Sequence, residues 1–179
     1  MNIKRLLFWA ALFCVLLGYV AVFESRAPRK EKASGAQLVK VFSIPEDTIQ
    51  KIALRTGTKT TELVRKEQGW ELSSPAQINL KQENVESLLS TITGLIKIEV
   101  VSEGAKDLRQ YGLEKPDISL ALYGAGDTNP VILDIGSDTP TGVSMYAMVR
   151  GSNEVIQVGT LLRFSIKTFL EMQSRQTPR

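Results

Sequence analysis

Histidine is absent from this 179-residue chain, and cysteine occurs once, as Cys14. The first absence removes the commonest general base and the Ser-His and Cys-His nucleophile arrangements. Together the two absences remove any zinc site built from His and Cys. One cysteine also forms no disulfide within the chain. Aromatic residues are scarce, at 7%, so few positions are open for stacking on a ligand ring. Nothing in the composition is extreme: 43% of residues are hydrophobic and 23% charged. That balance excludes collagen, bulk disorder and a polytopic membrane protein, and the length fits one domain with or without an appendage.

A surplus of positive charge is also missing from most of the chain. The net charge of +3 belongs to the termini. Residues 1–35 hold six basic and two acidic side chains, and Arg175 and Arg179 add two more positive charges. Residues 36–172 hold 14 basic and 17 acidic side chains, a net of −3. Sequence-general nucleic-acid binding needs a basic surface to displace counterions, so no nucleic-acid partner is expected.

What is present first is an apolar run. Leu6 to Phe23 is 18 residues without a charge, with Trp9 and Tyr19 near its ends and Lys4 and Arg5 before it. A bilayer core takes about 20 apolar residues, with a lower limit near 17, and interfacial aromatics suit the ends of such a span. No face of this stretch is polar, which argues against a core helix. Cleavage after Ser25-Arg26-Ala27 is blocked by Pro28, and Leu12-Phe13 before Cys14 is too bulky for a lipoprotein signal. Residues 1–23 are therefore read as an uncleaved signal anchor, with the lipid bilayer as the partner of residues 6–23. Arg26, Arg29, Lys30 and Lys32 outnumber Lys4 and Arg5, so a positive-inside count favours a cytoplasmic C-terminal side. A short basic N-terminus before a signal anchor favours the opposite orientation. The charge count alone leaves both open.

Residues 24–37, with Pro28, Ser34, Gly35 and clustered charge, read as a juxtamembrane linker. From Leu38 the texture changes to short β-rich runs: Leu38–Phe42, then Ile49 to Thr56 after a turn at Pro45-Glu46-Asp47. A hairpin arm follows at Thr60–Lys66, and then Trp70-Glu71-Leu72, closed by Pro75. Asn79 followed by Gln82 has the spacing of a capping box. The spacing of Val85, Leu88, Leu89, Ile92, Leu95 and Ile96 predicts an amphipathic helix, with Glu83, Glu86, Ser87, Ser90 and Thr93 off its apolar stripe. Further strands are expected at Ile98–Val101, Ile118–Tyr123, Val131–Ile135, Ser144–Val149 and Glu154–Val158, with a helical turn over Lys106–Gln110. A second helix is expected over Thr160–Met172. Gln173 to Arg179 is read as a disordered tail. Strands in runs joined by short turns predict an α+β fold of mostly antiparallel strands with two amphipathic helices over 38–172. The order of elements hints at a duplicated β-β-β-α unit.

Three signatures line up behind the apolar run. They are Gly69-Trp70-Glu71-Leu72-Ser73-Ser74-Pro75, then Tyr111-Gly112-Leu113-Glu114-Lys115-Pro116, then Ile135-Gly136 followed by Met145-Tyr146-Ala147. In that order the chain resembles domain-of-unknown-function 4340, a family of bacterial membrane-anchored proteins, over about Val39 to Glu171. The resemblance implies a single-pass inner-membrane protein with its domain in the periplasm. It also implies the company of ABC-type transporter components of the gliding-motility kind. It carries no catalytic residues onto this chain.

Each singled-out residue also has a packing explanation. Trp70 could stack on a glycan, but Leu72 shares its face and makes it a core anchor. Gly112 supplies a backbone angle other residues avoid, and Leu113 fills the core. The Gly136–Gly142 loop lacks the Gly-Lys-Ser/Thr ending of a phosphate loop and reads as a strand connection. Asp127, Asp134 and Asp138 do not match the spacing of a calcium loop. Glu99 with Glu103 could form an acid pair, although a solvated face explains them equally. Ser87 and Ser90 need no chemistry to sit on the polar side of a helix. No catalytic residue, cofactor or metal is expected. The leading expectation is a non-catalytic accessory or scaffold module of an ABC-type envelope complex, with protein partners. A periplasmic glycan- or lipid-binding module, using Tyr123 and Tyr146, is the alternative, and a hydrolase ranks third.

Overall fold

A computed structural model describes residues 39–74, 80–126 and 129–175. The elements follow in the order β1 (Ile49–Thr56), β2 (Lys59–Lys66), β3 (Gly69–Ser74), α1 (Gln82–Thr93), β4 (Glu99–Glu103), β5 (Ile118–Gly124), β6 (Val131–Asp138), β7 (Ser144–Val149), β8 (Glu154–Gly159) and α2 (Leu161–Arg175). Short 3-10 turns lie at Glu46–Thr48 and Arg109–Tyr111. The strands form one sheet in the order β3-β2-β1-β5-β6-β7-β8-β4, and every neighbouring pair is antiparallel. The α+β class and the mostly antiparallel sheet with two helices are therefore as the sequence predicts.

Alternation along the strands divides the sheet into two faces. Ile52 and Leu54 of β1 stand across from Leu122 and Leu120 of β5, and Leu120 across from Leu133 of β6. These residues are buried in one cluster with Val85, Leu88, Leu89 and Ile92 of α1 and Leu162, Ile166 and Phe169 of α2. Both helices thus cover the same face and pack against each other. The opposite face carries Lys51, Arg55, Ser119, Tyr123, Asp134 and Tyr146 at the alternate positions, and among the described residues no α-helix lies over it.

The two strand runs fan out from the middle of the sheet. β1, β2 and β3 occupy one half, β5, β6, β7 and β8 the other, and they meet where β1 pairs with β5. Each run is followed by a helix, but the second has an extra strand. α1 follows β3 at one edge, and β4 lies at the opposite edge. The chain between them therefore crosses the whole helix-covered face, a width of about 34 Å for eight strands spaced roughly 4.8 Å apart.

Several details differ from the sequence reading. Of the strand expected over Leu38–Phe42, Leu38 lies outside the described residues and residues 39–42 form no strand of their own. Among the described residues they make a single antiparallel bridge, Lys40 with Ile96, while Phe42 drops into the core. α1 begins after Lys81 with no side-chain cap; Asn79 lies outside the described residues, and the Gln82 side chain is engaged elsewhere. Thr93 is buried rather than on the polar side. Its one hydroxyl proton has two acceptors within reach, the Leu89 carbonyl at 3.0 Å and Glu46 Oε2 at 3.1 Å, which satisfies it there. β4 runs from Glu99 to Glu103 with a bulge between Val100 and Ser102. α2 continues past Met172 to Arg175, because Gln173 falls on the Leu162–Ile166–Phe169 stripe and is buried. Residues 176–179 lie outside the described residues, as do the apolar run Leu6–Phe23 and the linker. Among the described residues no helix is long and apolar enough to cross a membrane.

The Gln82 amide explains how β3 tolerates being an edge strand. Gln82 Nε2 donates to the Trp70 carbonyl at 2.8 Å, and Gln82 Oε1 accepts from the Trp70 amide at 2.6 Å. The side chain thus satisfies both outward backbone groups of Trp70 as another strand would. Gln82→Ala leaves those two groups without their partners and is expected to cost about 1–3 kcal/mol, read as a lower urea midpoint. An unchanged midpoint would show that water replaces the amide at no cost.

Candidate functional site

The helix-free face is built around an acid in a strand that otherwise reads apolar. In Val131-Ile132-Leu133-Asp134-Ile135, Leu133 and Ile135 point into the core and Asp134 to the other side. Asp134 is nevertheless buried, so its carboxylate needs partners. The Ser119 hydroxyl donates to Oδ1 at 2.6 Å. Arg150 approaches in a fork, Nη2 to Oδ1 at 2.8 Å and Nε to Oδ2 at 3.1 Å. Ser119 Oγ in turn accepts from Arg55 Nη2 at 2.7 Å. The network therefore runs from β1 through β5 and β6 to the turn after β7, with the Arg150 guanidinium on the carboxylate and Arg55 linked to it through Ser119.

Beside it Lys51 pairs with Glu62 at 3.1 Å and lies 5.2 Å from the centre of the Tyr123 ring. Where Arg55 leaves the network it borders an open groove of about 680 Å³, lined also by Thr56, Gly57 and Glu114–Asp117. The groove mixes both signs of charge, and the Gly57 amide donates to the Asp117 carbonyl at 3.2 Å across it. Chemically the arrangement clamps strands together and offers Arg55 and Lys115 to an anion.

The singled-out residues fall into two groups. Tyr111, Gly112, Leu113, Gly136 and Tyr146 come together on the helix-free face. The Tyr111 and Tyr146 rings meet edge to face with centres 5.1 Å apart. Gly112 adopts φ +68°, and a Cβ there would lie 2.6 Å from Ser137 Oγ; a Cβ on Gly136 would lie 2.1 Å from the Tyr111 carbonyl oxygen. The two glycines thus let two backbones touch. Leu113 is buried at this junction and is not part of the helix-covered cluster. Leu113 is buried as expected, and its side chain lies against Gly136, closing the crossing segment onto this face.

The second group holds Gly69, Trp70 and Leu72 on β3. Trp70 is 4% exposed on the helix-covered face, with the Arg65 guanidinium 5.1 Å from its ring centre. Gly69 has φ +121°, and a Cβ there would meet Gln82 Oε1 at 2.6 Å. Pro75 lies outside the described residues, and Pro116 borders the Arg55 groove.

Of the three aspartates, Asp134 and Asp138 have separate basic partners. Asp134 belongs to the Arg150 network, Asp138 pairs with Arg163 at 3.0 Å, and Asp127 lies outside the described residues. No group of acids, His or Cys among the described residues could hold a metal ion. Gly136–Gly142 joins β6 to β7 with Thr139 and Gly142 closing a turn at 2.8 Å, and a strand follows it rather than a helix. The Arg55–Ser119–Asp134–Arg150 network was not foreseen; its one sequence signal is an Asp inside an alternating apolar strand.

A family model described as a domain of unknown function (DUF4340) matches residues 70–176, more than half of the chain. The match runs from Trp70 in β3 through α2 and therefore covers every signature residue except Gly69. No curated protein and no solved structure matches the chain.

Proposed function

The chain belongs to the DUF4340 family of domains of unknown function, and on that premise we propose that it is a membrane-anchored, non-catalytic accessory or scaffold module of a bacterial envelope complex. In this reading residues 6–23 anchor the chain in the inner membrane and the domain from Leu38 onward stands in the periplasm. Its partners are subunits of an ABC-type transport or gliding-related machine. The observation that carries the reading is the one-sided covering of the sheet. Eight strands present a broad face that, among the described residues, carries no α-helix, and its polar groups are tied to one another. A rigid patterned face and a strand edge at β4 are what protein partners use. The anchor supports this by raising the local concentration of the domain at the membrane.

A glycan-binding module would rest on Tyr123 and Tyr146. Lys51 sits over one ring and Tyr111 abuts the other, which favours the scaffold reading. Crosslinked co-purification of the full chain from native membranes tests it. Permease or ATPase subunits are expected in the recovered material, and deletion of residues 38–172 removes them. Recovery of background proteins alone from the full chain would overturn the reading.

A further inference from the structure

Five of the large apolar side chains left exposed gather at one end of the sheet. β7 starts at Ser144, which stands across from Gly159, so Val143 stands across from Thr160 and next to Leu161. Leu161 and Phe164 lie about one turn apart on α2, off the Leu162–Ile166–Phe169 stripe. The Ile98 amide donates to the Gln157 carbonyl at 2.9 Å, and the Lys97 amide to the Val39 carbonyl at 2.8 Å, which brings Ile98 and Val39 to the same end of β8. Exposures are 74% for Val143, 67% for Phe164, 65% for Leu161, 57% for Ile98 and 53% for Val39. Single exposed apolar residues need no explanation, but a gathering of this kind marks a contact surface. The opposite end of the same strands carries the polar turn Arg150–Asn153.

What covers the gathering follows from where the domain is tied. Val39 is itself one of the five, so the polypeptide before it is covalently joined to the domain at this end. The uncharged run ends at Phe23, and 15 residues separate it from Val39, a reach of at most about 50 Å. Lys40 follows Val39, and Lys59 and Lys115 are exposed further along the same end, together with Glu99, Glu114, Asp117 and Asp138, the last paired with Arg163. Apolar side chains with lysines at their margin are the composition of an interfacial lipid contact. We infer that this end of the sheet, through Val39, Ile98, Val143, Leu161 and Phe164, docks on the surface of the bilayer. The inference rests on the anchored reading above. It fixes the domain's orientation, with the β7–β8 turn directed away from the lipid.

The test uses the full chain carrying Cys14→Ser, reconstituted in vesicles of phosphatidylcholine and phosphatidylglycerol. An environment-sensitive fluorophore is placed on a single cysteine at Val143→Cys, Phe164→Cys or, as the control, Asn153→Cys. Labels at 143 and 164 are expected to be blue-shifted and quenched several-fold by a lipid-borne quencher, and the label at 153 is expected to stay wet. Leu161→Glu with Phe164→Glu should abolish quenching at 143. Labels at 143 and 164 as wet as that at 153, in a chain that resists carbonate extraction, would overturn the docking and leave the anchor standing. Extraction by carbonate would overturn the anchor and the docking with it. Copy-to-copy disulfides formed on oxidation of the unlabelled 143 and 164 cysteine variants, with no quenching of the labelled ones, would overturn lipid in favour of a second copy.

Discussion

Trp70→Ala is expected to lower the stability of the domain by about 3–5 kcal/mol, the usual cost of removing a large aromatic from a packed core. The ring is almost fully enclosed and belongs to the cluster between the sheet and its helices. Its backbone is held by Gln82 from α1 and its face by Arg65 from the neighbouring strand. Truncation therefore empties a site whose walls come from three elements and are fixed from both sides, so they relax only partly. Domains of this size have total stabilities of roughly 5–15 kcal/mol, and a loss of this size reaches a large share of that. Urea unfolding monitored by circular dichroism gives the number. Trp70→Phe, which keeps an aromatic ring, should recover much of the loss. An alanine variant within about 0.5 kcal/mol of the parent, the range of ordinary surface substitutions, would place the ring outside the core.

The second large effect is expected at Gly136→Ala, with a loss of about 1–3 kcal/mol and displacement toward the upper end. The new methyl would lie 2.1 Å from the Tyr111 carbonyl oxygen and 3.1 Å from Leu113 Cγ. The closest obstacle is backbone, which cannot turn aside as the end of a side chain can. The Tyr111–Leu113 segment must lift from the sheet, and the edge-to-face contact of Tyr111 with Tyr146 is lost with it. Near-ultraviolet circular dichroism of the tyrosines reports that loss separately from the change in stability. Gly159→Ala is the control, since a Cβ there meets nothing within 4 Å. Equal behaviour of the two variants would show that the two backbones do not touch.

These two residues also show what can be read from a sequence and what cannot. Trp70 was legible because alternation with Leu72 puts both on one side of a strand, and the helical spacing of Val85 to Ile92 announces the surface that covers them. Those are local periodicities, and local geometry enforces them. The meeting of Tyr111-Gly112-Leu113 with Gly136 and Tyr146 was not legible, although every residue in it had been singled out. Its cause is a contact between segments far apart in the chain, and no local period encodes that. The same applies to Gln82. Its spacing from Asn79 fits a capping role, yet its amide is taken by the open edge of β3. Leu113 was correctly expected to be buried, but apolar character predicts burial without saying against what, and its contact with Gly136 was not legible. The network around Asp134 depends on Arg55 and Arg150, which are 95 positions apart and become neighbours only when β1 and β5 pair.

That central pairing has a consequence during synthesis. β1 lies in the middle of the finished sheet, flanked by β2 and β5, yet β5 begins at Ile118 and β1 ends at Thr56. At roughly 5–20 residues per second, β2 and β3 are made within seconds, while β5 arrives several seconds later still. For that interval the emerging chain holds a three-stranded fragment whose inner strand has an unpaired side, with Ile52 and Leu54 awaiting Leu122 and Leu120. An uncovered strand edge of this kind invites pairing with another chain. The nascent protein therefore passes through its most adhesive state before its second half exists, and a chaperone bound to that fragment would act on the open side of β1.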